Sequence, residues 1–88
     1  MTATRLIYAS QIGDLLRIAI TIPPRDVERL LDSLANLQFP INPDLKYEEW
    51  QTTVEFPGYR EWLPDLRGML ARDRFDDARL QHSPGVEN

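Results

Sequence analysis

Between Leu15 and Ile22 the chain alternates without a break, with Leu16, Ile18, Ile20 and Ile22 on one side and Leu15, Arg17, Ala19 and Thr21 on the other. Side chains of an extended chain point to opposite faces in turn, so this stretch predicts a strand with one wholly aliphatic face and one mixed face. Isoleucine is stiff at its branched Cβ and suits a pleated surface, which reinforces the reading. A face of that kind has to be covered, and the next residues supply a cover. Pro23 and Pro24 stop the strand, and proline is tolerated at a helix start because the first amides there have no intrahelical partner. Val27, Leu30, Leu31, Leu34 and Leu37 then recur at helical spacing, while Arg25, Asp26, Glu28, Arg29, Asp32, Ser33 and Asn36 take the opposite side. Asp26 and Glu28 fall in the first turn, where the helix dipole favours anions, and Asn36 is a candidate for the left-handed residue that ends the helix.

The middle of the chain reads as a hairpin. Phe39-Pro40-Ile41-Asn42-Pro43 leads into a strand at Leu45–Tyr47, and its two prolines confine that strand to a sheet edge. Gln51–Phe56 is the next strand, with Thr52, Val54 and Phe56 on one face and Gln51, Thr53 and Glu55 on the other. No Asn-Gly or Asp-Gly signal sets the register between the two. Phe56-Pro57-Gly58-Tyr59 has proline and glycine where a type II turn wants them. Tyr59, Trp62, Leu63, Leu66, Met69 and Leu70 then form a second helical stripe, with Tyr59 and Trp62 read as core. Pro64 predicts a loose first turn before it, and Gly68 marks either close backbone packing or a tolerated flaw. Ala78–His82 is a short last strand, and residues 83–88 form a flexible tail. An additional strand over Arg5–Ser10, turning at Gly13, would have to pair outside the sheet's centre or reach a neighbouring chain.

Strand, helix, strand, strand, helix, strand predicts an α+β fold of the ferredoxin-like βαββαβ type. In that fold a four-stranded antiparallel sheet runs 4-1-3-2, with both helices on one face. The chain is expected to be a single domain, compact over about residues 5–82. With 88 residues the core has to be small, which gives self-association a physical motive. Ten basic against fourteen acidic side chains leave a charge of -4, the wrong sign for holding nucleic-acid phosphates. The absence of cysteine excludes disulfides, thiolate zinc sites, iron–sulfur clusters and thiol nucleophiles. Leu6–Ala9 after Arg5 falls short of a secretory signal, and no segment approaches the ~20 apolar residues of a membrane span. The expectations are a cytoplasmic location, no membrane contact, and no metal or other cofactor.

Catalytic residue types are present without catalytic spacing. His82 near Asp76 and Asp77 lacks the spacing of a metal site, and Ser10, Ser33 and Ser83 lack a nucleophile motif. Glu48 and Glu49 are strand or turn neighbours that point apart and cannot share one proton. Lys46, Glu48 and Trp50 would share a face if Leu45 and Tyr47 point to the core. A lone indole there either anchors a partner or ligand, or folds over the hairpin end. Asp44, Glu48, Glu49 and Glu55 against Lys46 make the hairpin acidic, which shields an edge or selects a basic partner.

Ile22-Pro23-Pro24-Arg25-Asp26-Val27 stands where ACT-type regulatory domains turn from first strand into first helix, and over Leu15–His82 the chain resembles them in outline. The resemblance implies a non-catalytic regulatory or assembly domain that self-associates, most simply as a homodimer, and binds a small ligand. Arg17, Thr53, Trp50, Glu48 and Glu55 are the candidate binding residues. Two alternatives stand beside it. One is a small enzyme of the dimeric α+β barrel kind, its pocket on the open sheet face lined by Trp50, Arg17 and Thr53. The other is an adaptor for a basic protein, held by the acidic hairpin.

Overall fold

The computed structural model describes residues 15–85. The strand expected at Arg5–Ser10 and the end of the chain after Gly85 lie outside them. Strand β1 (Leu15–Ile22) is followed by a 3-10 turn (Pro24–Asp26) and helix α1 (Val27–Ala35). Strands β2 (Asp44–Tyr47) and β3 (Thr52–Tyr59) form the hairpin. A second 3-10 turn (Arg60–Trp62), helix α2 (Leu63–Arg72) and strand β4 (Arg79–Pro84) complete the order. The fold is therefore α+β, with two helices and one antiparallel sheet ordered β2-β3-β1-β4.

One parity governs the sheet. Leu16, Ile18, Ile20 and Ile22 of β1 are buried, and in register with them stand Gly58, Phe56, Val54 and Thr52 of β3, buried as well. Val27, Leu30 and Leu34 of α1 and Leu63, Leu66 and Met69 of α2 join the same core cluster, so both helices lie against this one face. Each such aliphatic side chain contributes roughly 1.5–3 kcal/mol of burial, and β1 supplies four of them from the centre of the sheet. Thr52 Oγ1 sits in this core without a hydrogen-bond partner among the described residues, a cost of about 1–3 kcal/mol.

Sequence expectation and structure part at Phe56–Tyr59. No turn forms there, and β3 runs on to Tyr59. Hydrogen-bonded pairs alternate along an antiparallel ladder. Glu48 N–H donates to the Gln51 carbonyl at 2.9 Å. That pair continues the β2–β3 register, so the odd-numbered residues of β3 bond toward β2. Pro57 is one of these, and β2 begins too late to reach it, so its missing N–H leaves no partner unsatisfied. Gly58 faces the core, where a Cβ would lie 2.7 Å from the Trp62 ring and 2.8 Å from Ile18 Cδ1. Glycine is thus required by the indole above it and not by a turn. Tyr59 consequently belongs to β3 and not to the second helix, and Trp62 is only half buried. The indole stacks on Phe39 at 4.4 Å between centroids and meets the edge of Tyr59 at 5.6 Å.

Further corrections concern the helix ends. Pro64 sits in the first turn of α2 behind a 3-10 lead, as expected. Asn36 stays right-handed (φ -83, ψ -9) and closes α1 by donating its N–H to the last-turn carbonyls. The left-handed residue is Arg74 (φ 64), one position past the Asp73 cap of α2. The Phe75 amide donates to Leu70 O at 2.9 Å and the Arg74 amide to Ala71 O at 3.2 Å, the paired bonds of a Schellman termination. Ser33 is not exposed but buried, because the α1 flank bearing it meets the end of α2. Its Oγ donates to Asp73 Oδ2 at 2.7 Å, and Arg29 donates to the Asp73 carbonyl at 2.6 Å with its guanidinium 4.0 Å over the Phe75 ring. Ser83 and Pro84 belong to β4 and not to a tail, since the register with β1 continues through Leu16↔Pro84.

Two glycines give opposite expectations. Gly58→Ala is expected to destabilise by about 1–3 kcal/mol through overpacking against Trp62. Gly68 is exposed, and a Cβ added there would have nothing within 4 Å, so Gly68→Ala is expected to stabilise by about 1 kcal/mol. Urea unfolding of both variants checks the pair. The Ser33 hydroxyl, followed by Arg72, holds the Asp73 carboxyl below the ordinary aspartate range. Its contribution is present above the unfolded value and lost as pH falls through the lower folded one. Asp73→Asn is therefore expected to flatten the loss of stability below about pH 4, read from thermal midpoints across an acid series.

Candidate functional site

With both helices on one side, no described residue covers the other face of the sheet, and register decides who meets on it. Its cross-strand rows are Ser83, Arg17 and Pro57, then Gln81, Ala19, Glu55 and Asp44, then Arg79, Thr21, Thr53 and Lys46. Strand parity had put Arg17, Thr53 and Glu55 on this face, and they are there. Lys46 and Arg79 join them through pairing, which sequence spacing within one strand does not show.

Glu55 is the centre of the face. Its Oε1 lies 3.5 Å from Arg17 Nη1 and 3.3 Å from Lys46 Nζ, and its side chain is 17% exposed against 57% and 64% for the two cations. One carboxylate therefore serves two cations. Neither Arg79 nor Asp44, which stands opposite Glu55, forms an ion pair among the described residues, so Arg17, Lys46 and Arg79 against Glu55 and Asp44 leave the face slightly positive although the whole chain carries -4. Thr21 and Thr53 stand opposite each other, with their hydroxyl oxygens 3.2 Å apart. The pair is one of the closely spaced, non-hydrogen-bonded positions between β1 and β3, which is why two short side chains touch.

The hairpin residues fall elsewhere. β2 ends at Tyr47, so Glu48 and Trp50 are in the turn and do not continue the face of Lys46. Glu48 Oε1 accepts a bond from Gln51 Nε2 at 2.9 Å, holding the turn. Trp50 is 80% exposed and Tyr47 70%, the two large apolar side chains left in solvent among the described residues. Trp50 borders a shallow groove of about 380 Å³ with Thr21, Pro23, Gln51, Asp77 and Arg79. A second concavity of about 510 Å³ extends from Arg17, Ala19 and Glu55 past Gln81 and Ser83 to Leu80 and His82 of the β4 edge and Arg67 of α2. Among the described residues Arg17 and Trp50 border different grooves, which adjoin at Gln81. A third hollow of about 220 Å³ between α1 and the strand entry is apolar, lined by Leu31, Leu34, Phe39, Ile41 and Pro43.

Among the described residues no group of three or more His, Cys, Asp or Glu could hold a metal ion, and no helix is long and apolar enough to cross a membrane. No protein-family model, curated protein or solved structure matches the chain.

Glu55→Gln removes the counter-charge of both cations. Because Arg17 and Lys46 are largely solvated, the stability loss is expected to stay within about 1 kcal/mol. Parallel denaturation of both proteins in low and high salt checks this, and the difference is expected to shrink as salt rises.

Proposed function

We propose that this chain is a non-catalytic regulatory or assembly domain that acts through self-association and binds a small anionic ligand on its open sheet face. The observation that carries the ligand reading is the shared Glu55 carboxylate, with Arg17 and Lys46 on either side and Arg79 nearby in the next row. A carboxylate or phosphate of metabolite size would complete the pairing of these cations, and Thr21, Thr53 and Gln81 offer it hydrogen bonds. Read from the β4 edge the sheet order is 4-1-3-2, which supports a ferredoxin-like sandwich and is compatible with the ACT-type outline. The small core supports self-association, because contact with a second copy would bury surface that none of the described residues covers.

Sedimentation velocity over a concentration series, with backbone amide spectra recorded during titration with citrate and with inorganic phosphate, tests the reading. A concentration-dependent dimer and saturable shifts at Arg17, Thr53, Glu55 and Arg79 are expected, the shifts lost in Arg79→Ala. A strict monomer whose spectrum ignores both anions would overturn it.

A further inference from the structure

The two sheet edges differ. β2 is four residues long, follows Pro43 and carries Asp44 and Lys46, all features that discourage another strand from pairing. β4 carries Arg79 and Pro84 at its ends, and among the described residues neither charge, proline nor another strand guards it from Leu80 to Ser83. What its free side offers follows from hydrogen-bond direction. The Gly85 amide donates to the Leu15 carbonyl at 3.0 Å, one step beyond the register pair Leu16↔Pro84. Bonded pairs alternate, so Arg79, Gln81 and Ser83 bond inward to β1, while Leu80, His82 and Pro84 turn their backbone groups outward. Pro84 has no N–H, so the outward donors are the amides of Leu80 and His82, each with its own carbonyl beside it.

We propose that β4 is the strand through which two copies of this chain pair, antiparallel about a two-fold axis at Gln81. This rests on the self-association reading above and says which surface it uses. In that register Leu80 exchanges both backbone bonds with His82 of the partner subunit, and the two-fold axis repeats the exchange. All outward donors and acceptors of Leu80 and His82 are then satisfied, and Pro84 falls beyond the ladder. Moving the axis to His82 would press the Pro84 ring against the partner subunit's Leu80 carbonyl, where a strand needs an N–H. The side chains agree with the Gln81 axis. Gln81 meets its own copy on the open face at a closely spaced position, where two primary amides can bond reciprocally. Arg79 faces the partner subunit's Ser83, and no like charges stand directly opposite. The strand is its own complement, as an isologous contact requires.

Amide hydrogen exchange on the full chain tests this without a mutation. At about 10 μM and about 1 mM, concentrations that bracket weak association, protection of the Leu80 and His82 amides is expected to rise, while Gln81 and Ser83 are protected at both. His82→Pro removes an outward N–H and leaves the inward ladder untouched, so it is expected to keep the thermal midpoint and weaken dimerisation tenfold or more. A dimer in which Leu80 and His82 exchange freely and His82→Pro changes nothing would overturn the β4 assignment and leave self-association standing. A monomer with both amides unprotected would overturn both. A monomer with both protected would mean that another part of the chain covers the edge, and the assignment would again be wrong.

Discussion

The burial of one face of β1 is the constraint from which the rest of the molecule follows. Leu16, Ile18, Ile20 and Ile22 are almost wholly withdrawn from solvent, and the strand bonds to a neighbour on each side. An aliphatic face at the centre of a sheet has to be covered over its whole length. Both amphipathic helices are consumed in doing so. Nothing among the described residues then remains to cover the opposite face, so the groups that can meet a ligand or another protein are those left on it and along the sheet edges.

Alternation of hydrogen-bond direction is the second organising rule, and it explains features that look unrelated. Pro57 is acceptable within a paired strand because its nitrogen faces past the end of β2. Thr21 and Thr53 touch because they occupy a closely spaced position. Gly58 is forced by Trp62, whose ring lies where a side chain would otherwise sit. The same rule gives β4 an outer side with two donors and a proline beyond them. In each case a side chain's role follows from which of two directions its backbone takes.

The helix junction shows a different kind of economy. α2 ends through a left-handed Arg74, a residue type that tolerates that conformation less readily than glycine. The termination is held from outside by α1, with Ser33 on the Asp73 carboxylate and Arg29 on the Asp73 carbonyl and over Phe75. Polar side chains read from the helix pattern as solvated are instead the clip between the two helices, which sets how both lie on the sheet.

Periodicity alone determined the strand at Leu15–Ile22, the helical stripe of Val27, Leu30 and Leu34, and the open-side position of Arg17, Thr53 and Glu55, while the proline ring marked the first turn of α2 at Pro64. These are local properties, because side-chain direction along a strand or helix is set by backbone geometry. Tertiary structure alone decided that Phe56–Tyr59 continues a strand, that Ser33 is buried, that Trp50 and Arg17 border separate grooves, and that Lys46 and Arg79 join Glu55's face. Each depends on register or on a neighbour distant in the chain, and a proline, a serine or a lysine carries no mark of which strand or helix will lie beside it.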